Sequence, residues 1–233
     1  MTETARRTRL RTGDQIREAK REALQYHNIE MERSFWFGGR DSATVNNKPL
    51  RTTEGFFGFM DRRASSRVVN PTSDTVDFGW LEEQMKNIFD YGSSEKMAFM
   101  GNQAALVIQQ AVRKATSVAY NLSQGQKEFG MNVTRLTSPF GELVMKTHPL
   151  FNRITSDWGG SPAYGSVDSW VAVMDMENVR YRYLEGRDTK FDGKQETPGD
   201  DQMIGGFLTE AGIEWRFPES GYVMKGFKTS AAG

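Results

Sequence analysis

The chain has no cysteine and only two histidines in 233 residues. The missing thiol excludes disulfide scaffolds, cysteine-ligated zinc and thiol nucleophiles, and the usage suits a reducing compartment. His27 and His148 alone leave little material for a catalytic triad or a histidine-rich metal centre. An excess of charge of one sign is also lacking. Lys plus Arg is 30 and Asp plus Glu is 30, so the formal charge is zero, and wholesale electrostatic wrapping of nucleic acid loses support. The longest apolar runs, such as 104–108 and 170–174, fall far short of the roughly 20 residues of a membrane helix. Behind the arginines at the amino terminus there is no apolar segment, and Glu3, Asp14 and Glu18 break the acid-poor pattern of a transit peptide, so no targeting segment is expected.

What is present is a loop-rich chain with large side chains to bury. Glycine numbers 23, methionine 12, and aromatics make up 12%, against a mean hydropathy of -0.62 that keeps much of the surface polar. A chain of this length can remove on the order of 70% of its unfolded surface from water, so a real core is possible.

Proline is absent before Pro49, and Thr12 and Asp14 can cap free amides. Ile16, Ala19, Ala23, Tyr26 or His27, Ile29 or Glu30, and Ser34 or Phe35 step along one side at helical spacing. The reading is one long helix from about Asp14 to Phe37, stopped by Gly38-Gly39. At ~1.5 Å per residue it would be on the order of 35 Å long, a spine more than a packing brick. Little regular structure is expected from Arg40 through the aromatic knot Phe56, Phe57 and Phe59. A second helix is expected over about Gly79–Tyr91, capped by Asp77, with Trp80, Leu81, Met85, Ile88 and Phe89 on one face and Gly92 as its stop. Residues 96–100 read as a short buried strand, and Asn102 opens a third helix carrying Ala105, Leu106, Ile108, Val112 and Ala115.

From Phe129 the period becomes two, and Ser138-Pro139-Phe140-Gly141 supplies turn chemistry for a hairpin. Strands at about 170–174 and 179–184 bracket Asp175-Met176-Glu177-Asn178. In the tail, Thr209, Ala211, Ile213, Trp215 and Phe217 alternate with Glu210, Glu214 and Arg216, and the turn at 218–221 is expected to fold the chain back into Tyr222-Val223-Met224 as a last hairpin. The fold class is α+β, without the βαβα rhythm of a doubly wound sheet.

Candidate chemistry is sparse, and no catalytic residue, metal ligand or cofactor is expected. The segments Gly159-Gly160-Ser161 and Gly165-Ser166 do not form the Gly-x-Ser-x-Gly elbow of hydrolases. His27, Glu30 and Met31 share a helix face, but a di-metal bundle needs carboxylate helices with no counterpart here. Asp188-Thr189-Lys190-Phe191-Asp192-Gly193 begins like a calcium loop and then fails, with Lys190 at the third position and Gly199 in place of the closing glutamate. Asp200-Asp201 could bind a cation or cap the following element, but adjacent acids usually face water. Gly101-Asn102-Gln103 opens a helix but lacks the glycine spacing and lysine of a phosphate loop. The aromatics Phe56, Phe57 and Phe59 suit core or interface packing better than base stacking. The one clear charge asymmetry is Arg6, Arg7, Arg9 and Arg11, read either as a solvated terminus or as an arm touching phosphates or an acidic neighbour.

Several segments carry a resemblance. Arg11–Asp14 through Ala19, Ala23-Leu24, His27, Ile29-Glu30 and Glu32 to Phe35–Arg40 resembles the spine-helix region of the major capsid proteins of tailed bacteriophages. Leu50–Gly55, Glu95–Gly101, Phe140–Leu143 and His148–Leu150 agree in order, and Met174–Val179, Tyr183–Thr189 and Leu208–Glu214 resemble that family's carboxy-terminal strands. The resemblance implies a Hong Kong 97-like fold: a spine helix in a peripheral domain, and an axial domain of sheet and helices. On that basis residues 1–45 are expected to hold the basic segment and spine helix of the peripheral domain. Residues 46–165 would form the axial domain, and 166–233 the strands returning to both. The resemblance also implies self-assembly into pentamers and hexamers of a DNA-enclosing icosahedral virion shell, synthesis in the bacterial host cytoplasm, and no catalysis, cofactor or membrane partner. Family members carry an amino-terminal arm and an extended loop ahead of the spine helix. Here the helix starts almost at Met1, so the expectation is a truncated reading or a separate chain supplying that portion.

Two other classes compete: a small α+β enzyme using His148 with a carboxylate from Asp188 to Asp201, and a nucleic-acid-binding accessory protein using the Arg6 to Arg11 arm.

Overall fold

The computed structural model describes residues 15–71, 76–114, 122–128, 131–153, 167–193 and 204–227. The chain divides into two compact units, one of Met1–Gly58 with Tyr181–Glu214 and the other of Phe59–Arg180 with Trp215–Gly233. Each unit is discontinuous in sequence.

The first unit holds the long helix α1 (Gln15–Phe37), which at ~1.5 Å per residue runs about 35 Å. Its partly covered residues include Ile16, Leu24, His27, Ile29, Met31, Ser34 and Phe35, whereas Ala19, Ala23 and Tyr26 are exposed. Ile16, His27, Ile29, Ser34 and Phe35 of the expected side are thus partly covered, and its alanines are not. The helix ends at Gly38, whose amide donates to Ser34 O at 2.8 Å. Strands β1 (Ser42–Val45) and β2 (Lys48–Arg51) then form an antiparallel hairpin. Its two-residue turn, Asn46-Asn47, takes φ of 50° and 61°, the left-handed pair that matches hairpin twist and that asparagine tolerates best after glycine. The expectation of little regular structure after Arg40 is thus corrected: asparagine at both turn positions carries the hairpin signal without glycine.

Gly55 closes this region. Its amide donates to Gly38 O at 2.8 Å, and a Cβ placed there would lie 2.6 Å from Gly38 N, Phe37 N and Trp36 C. Only a residue without a side chain lets the strand segment cross the helix end this closely. The chain enters helix α2 (Phe56–Arg63) here, where Phe56 and Phe57 are buried against Trp36 and Phe37, with ring centroids 5.3–6.0 Å apart. The aromatic knot is helical, which aromatic propensity alone does not announce.

The second unit is built on a seven-stranded mixed sheet. Its strands are β3 (Val68–Val69), β4 (Glu95–Met100), β5 (Leu122–Glu128), β6 (Met131–Ser138), β7 (Gly141–Thr147), β8 (Val171–Met174) and β13 (Tyr222–Met224), in the order β3-β13-β8-β4-β7-β6-β5. Central β8 and β13 are buried at every position, as strands covered on both faces must be apolar throughout. The β6–β7 hairpin pairs Ser138 with Gly141, as the Pro139-Phe140 turn suggested. Helix α3 (Phe78–Ile88) starts at Asp77, whose carboxylate accepts from Trp80 N at 2.8 Å, and buries Leu81, Met85 and Ile88. Helix α4 (Asn102–Lys114) buries Ala104, Val107, Ile108 and Ala111. These faces and the strand residues Ala98, Met100, Leu136, Leu143, Val171, Val173 and Met224 form one apolar core. Ala115, expected on this helix, lies outside the described residues.

Residues 166–233 supply strands to several sheets. Strands β9 (Val179–Tyr183) and β12 (Ala211–Trp215) pair with each other, and β10 (Lys190–Asp192) pairs with β11 (Gly206–Leu208). The expected last hairpin does not exist: β13 runs antiparallel to β8 and parallel to β3. The apolar Tyr222-Val223-Met224 is buried in the central sheet, whereas β12 is partly exposed at every position and does not alternate. Burial of the more apolar strand overrides the turn signal at Pro218.

Candidate functional site

Several of the residues singled out from sequence are held by structural contacts. His27 Nε2 lies 2.7 Å from Thr209 Oγ1, and Thr209 is in turn 2.9 Å from Thr189 Oγ1. Near these hydroxyls, the His27 ring tilts against Phe207 at 6.1 Å and Lys20 Nζ sits 4.3 Å above Phe191. This set fastens the middle of α1 to the β10–β11 ribbon as a framework contact. Among the described residues no group of three potential ligands gathers around any point. Lys190 and Asp192 are in strand β10, so the calcium-like loop is not a loop there. Asp188 instead accepts from Tyr181 Oη at 2.9 Å and from Thr189 N at 2.8 Å.

His148 is buried against Phe151 and Phe99, and its Nδ1 accepts from Leu150 N at 3.2 Å, capping the short helix α5 (Pro149–Arg153). It belongs to the second unit and Asp188 and Asp192 to the first; Asp200 and Asp201 lie outside the described residues. The Asn102 amide, which could have met a phosphate, donates to Asn152 Oδ1 at 2.7 Å. Phe56 and Phe57 are core residues, and Phe59 stacks on Trp215 at 6.4 Å, so no open base-stacking platform forms. The serine segments at 159–166 and the four arginines 6, 7, 9 and 11 lie outside the described residues.

Sequence reasoning missed a concentrated polar centre among the described residues, at an end of the central sheet. Lys96, on β4, is 1% exposed, and its Nζ donates to Ile88 O at 2.7 Å, Tyr91 O at 2.5 Å and Ser220 O at 2.8 Å. Arg67 donates from Nε to Gly221 O at 3.3 Å and from an Nη to Ile88 O at 3.4 Å, lying over the Tyr222 and Tyr91 rings. Asp175 accepts from Ser93 N, Glu177 N and Asn178 Nδ2 at 3.0–3.2 Å. Burial, with the Arg67 charge adding to it, pushes the Lys96 ammonium down to about 8. The sequence signal was available: a lysine at an inward position of an alternating strand. The arrangement is backbone-directed, with the cations tying carbonyls of two turns together, including those at the electronegative end of α3.

Outside this centre the notable features are broad surfaces. Tyr26 is 68% exposed, and most of α1 from Arg17 to Ala23 faces solvent. Tyr181 and Tyr183 on β9, with Leu184, present another apolar strip. In the second unit, an open cleft of about 340 Å³ lies between α4 and the sheet, lined by Met100, Leu106, Gln109, Thr134, Met145 and Lys146.

The profile of one protein family, described as the SU10 major capsid protein, matches residues 1–228. The chain belongs to that family. It is 27% identical over 215 residues to the major capsid protein of Pseudomonas phage PaMx41, covering 87% of this chain and 47% of the relative, so the chain spans about half the length of the curated relative it matches. In fold it is similar to the holo-SrpI encapsulin complex of Synechococcus elongatus PCC 7942, with a TM-score of 0.61 at 10% identity over 100% of this chain and 73% of the other. It is also similar to a Mycobacterium phage Patience structure, with a TM-score of 0.51 at 12% identity over 94% and 65%. The satellite phage P4 procapsid that includes the size determination (Sid) protein gives 0.51 at 12% over 94% and 70%. These similarities show the Hong Kong 97-like α+β capsid fold. The matched family is one of major capsid proteins.

Proposed function

We propose that the chain is a shell-forming subunit of a tailed-phage icosahedral capsid, assembling with copies of itself into pentamers and hexamers that enclose the DNA genome. Its place is the virion capsid, after synthesis in the bacterial host cytoplasm. The observation that carries this reading is the family match over residues 1–228. The exposed α1 and the apolar strip of Tyr181, Tyr183 and Leu184 support it, because surface of that kind is what protein contacts cover. In this reading the first unit, with its spine helix, is the peripheral domain and the second, with its seven-stranded sheet, is the axial domain.

Arg6, Arg7, Arg9 and Arg11 are the residues we assign to packaged DNA or to a neighbouring subunit. Electron microscopy of the purified protein tests the central reading: closed shells or five- and six-fold rings are expected, and a strictly monomeric product at all concentrations overturns it. Arginine contacts to DNA are tested by replacing all four with alanine. A log-log salt slope that shrinks by about 0.9 per lost phosphate contact supports the DNA assignment, and an unchanged slope removes it.

A further inference from the structure

The first unit leaves two surfaces of opposite charge uncovered. One is the β1–β2 hairpin, which pairs with no third strand among the described residues and exposes every residue of β2. A two-stranded ribbon standing alone is marginal in water, so a surface that covers this one stabilises it. Its base is fastened, with Thr52 N donating to Asp41 O at 3.1 Å and Thr52 Oγ1 to Gly39 O at 2.6 Å. Strand alternation sets Lys48 and Leu50 on one face and Pro49 and Arg51 on the other. Pro49 brings no N–H to the strand, which disfavours an added strand along β2 and favours a contact made by side chains. Residues 40–51 hold Arg40, Lys48 and Arg51 against Asp41 alone, an excess of positive charge. The other surface is the strip on β9. The Tyr181 and Tyr183 rings lie 5.8 Å apart, and Phe35 of α1 meets Tyr181 edge to face at 6.1 Å. Tyr181, Tyr183 and Leu184 are all exposed. Alternation turns Arg180 and Arg182 to the opposite face of β9, and Arg182 is paired with Glu214 at 2.6 Å. On the tyrosine side Asp188 accepts from Tyr181 Oη, and Glu185 follows Leu184, so the strip is bordered by acids.

We infer that the hairpin of one copy docks on the β9 strip of the next, with Leu50 against Tyr183 and Leu184 and Lys48 facing Glu185 and Asp188. The inference rests on the capsid-subunit reading, which supplies the neighbouring copy. Within one folded unit Leu50, Tyr183 and Leu184 all stay exposed, so the hairpin does not cover its own strip. Apolar side chains at the centre with opposite charges at the rim are the arrangement that specific protein contacts use. The two surfaces differ, so the contact is head to tail, and contacts of that type close into rings where the rotation between copies allows.

A chain without cysteine makes the test clean. Full-length L50C and Y183C are prepared separately, mixed in equal amounts under assembly conditions and joined with a short bismaleimide. The expected result is a covalent dimer from the mixture and little from either variant alone, because only the mixture places unlike surfaces of two copies together. A charge swap gives a second readout. K48E and E185K should each raise the concentration for half-assembly by on the order of tenfold, with thermal unfolding of the subunit unchanged, and the K48E/E185K combination should restore assembly. Rings or shells whose mixture links no better than either variant alone, or a combined variant no better than K48E, overturn the docking and leave the capsid-subunit reading standing. A chain that forms no oligomer at any concentration removes both.

Discussion

Replacing Gly55 with alanine is the sharpest perturbation the first unit offers. The added Cβ would sit 2.6 Å from three backbone atoms, Gly38 N, Phe37 N and Trp36 C, where ordinary contact begins at 3.4 Å. None of the three is the end of a flexible side chain. The strand segment must therefore move about 0.8 Å away from the helix end, which weakens the Gly55 N to Gly38 O hydrogen bond of 2.8 Å. Overpacking of this kind costs about 1–3 kcal/mol, and loss of the hydrogen bond adds about 1 kcal/mol. Against this, alanine narrows the unfolded ensemble and returns about 0.4–1 kcal/mol. The net expectation is a loss of about 2–3 kcal/mol, seen as a drop in Tm of roughly 4–12 °C for a chain of this size. Differential scanning calorimetry of the variant reads this directly. Gly39→Ala is the internal control, since a Cβ there meets nothing within 4 Å, and it is expected to be neutral or slightly stabilising. A Gly55→Ala variant as stable as Gly39→Ala would refute the close-crossing argument.

Phe57→Ala, which empties a fully buried position among Trp36, Phe37 and Phe56, is expected to cost about 3–5 kcal/mol in urea unfolding. Glu214→Gln removes the exposed Arg182 pair at 2.6 Å and should change stability by less than about 1 kcal/mol; a larger loss would show that this pair belongs to a wider network. Wild-type stability relative to K96M is expected to rise as pH climbs from about 8 toward 10.5. Across that window the unfolded chain binds the Lys96 proton and the folded chain does not, a gain of at most about 3 kcal/mol. A falling difference across that window would reverse the sign of the burial argument.

How much of this was legible beforehand depended on what each residue's signal measures. Helix α1, α3 with its Asp77 cap, and the Pro139-Phe140 hairpin follow from period, cap and turn chemistry, which are local. The partner of β13 is not local. Tyr222-Val223-Met224 has an adjacent turn that suggests pairing with β12, yet the central sheet offers it complete burial. The Asn46-Asn47 hairpin lacked glycine, and the Phe56–Arg63 helix is rich in residues with poor helix propensity, so tertiary contact with Trp36 and Phe37 decides it. For the polar centre, alternation along β4 placed Lys96 inward, but that its partners are carbonyls 5, 8 and 124 residues away is a property of the folded chain. The family resemblance was carried by the order of short segments, and the match over residues 1–228 bears it out.

The most direct test of the capsid reading is the assembly state of the protein under conditions that preserve contacts between subunits. Sedimentation velocity followed by cryo-electron microscopy of the same fractions is expected to give capsomer rings or closed icosahedral particles built from this chain. A single sharp boundary at the mass of one 26.4 kDa subunit, unchanged with concentration and empty of particles on the grid, would contradict it.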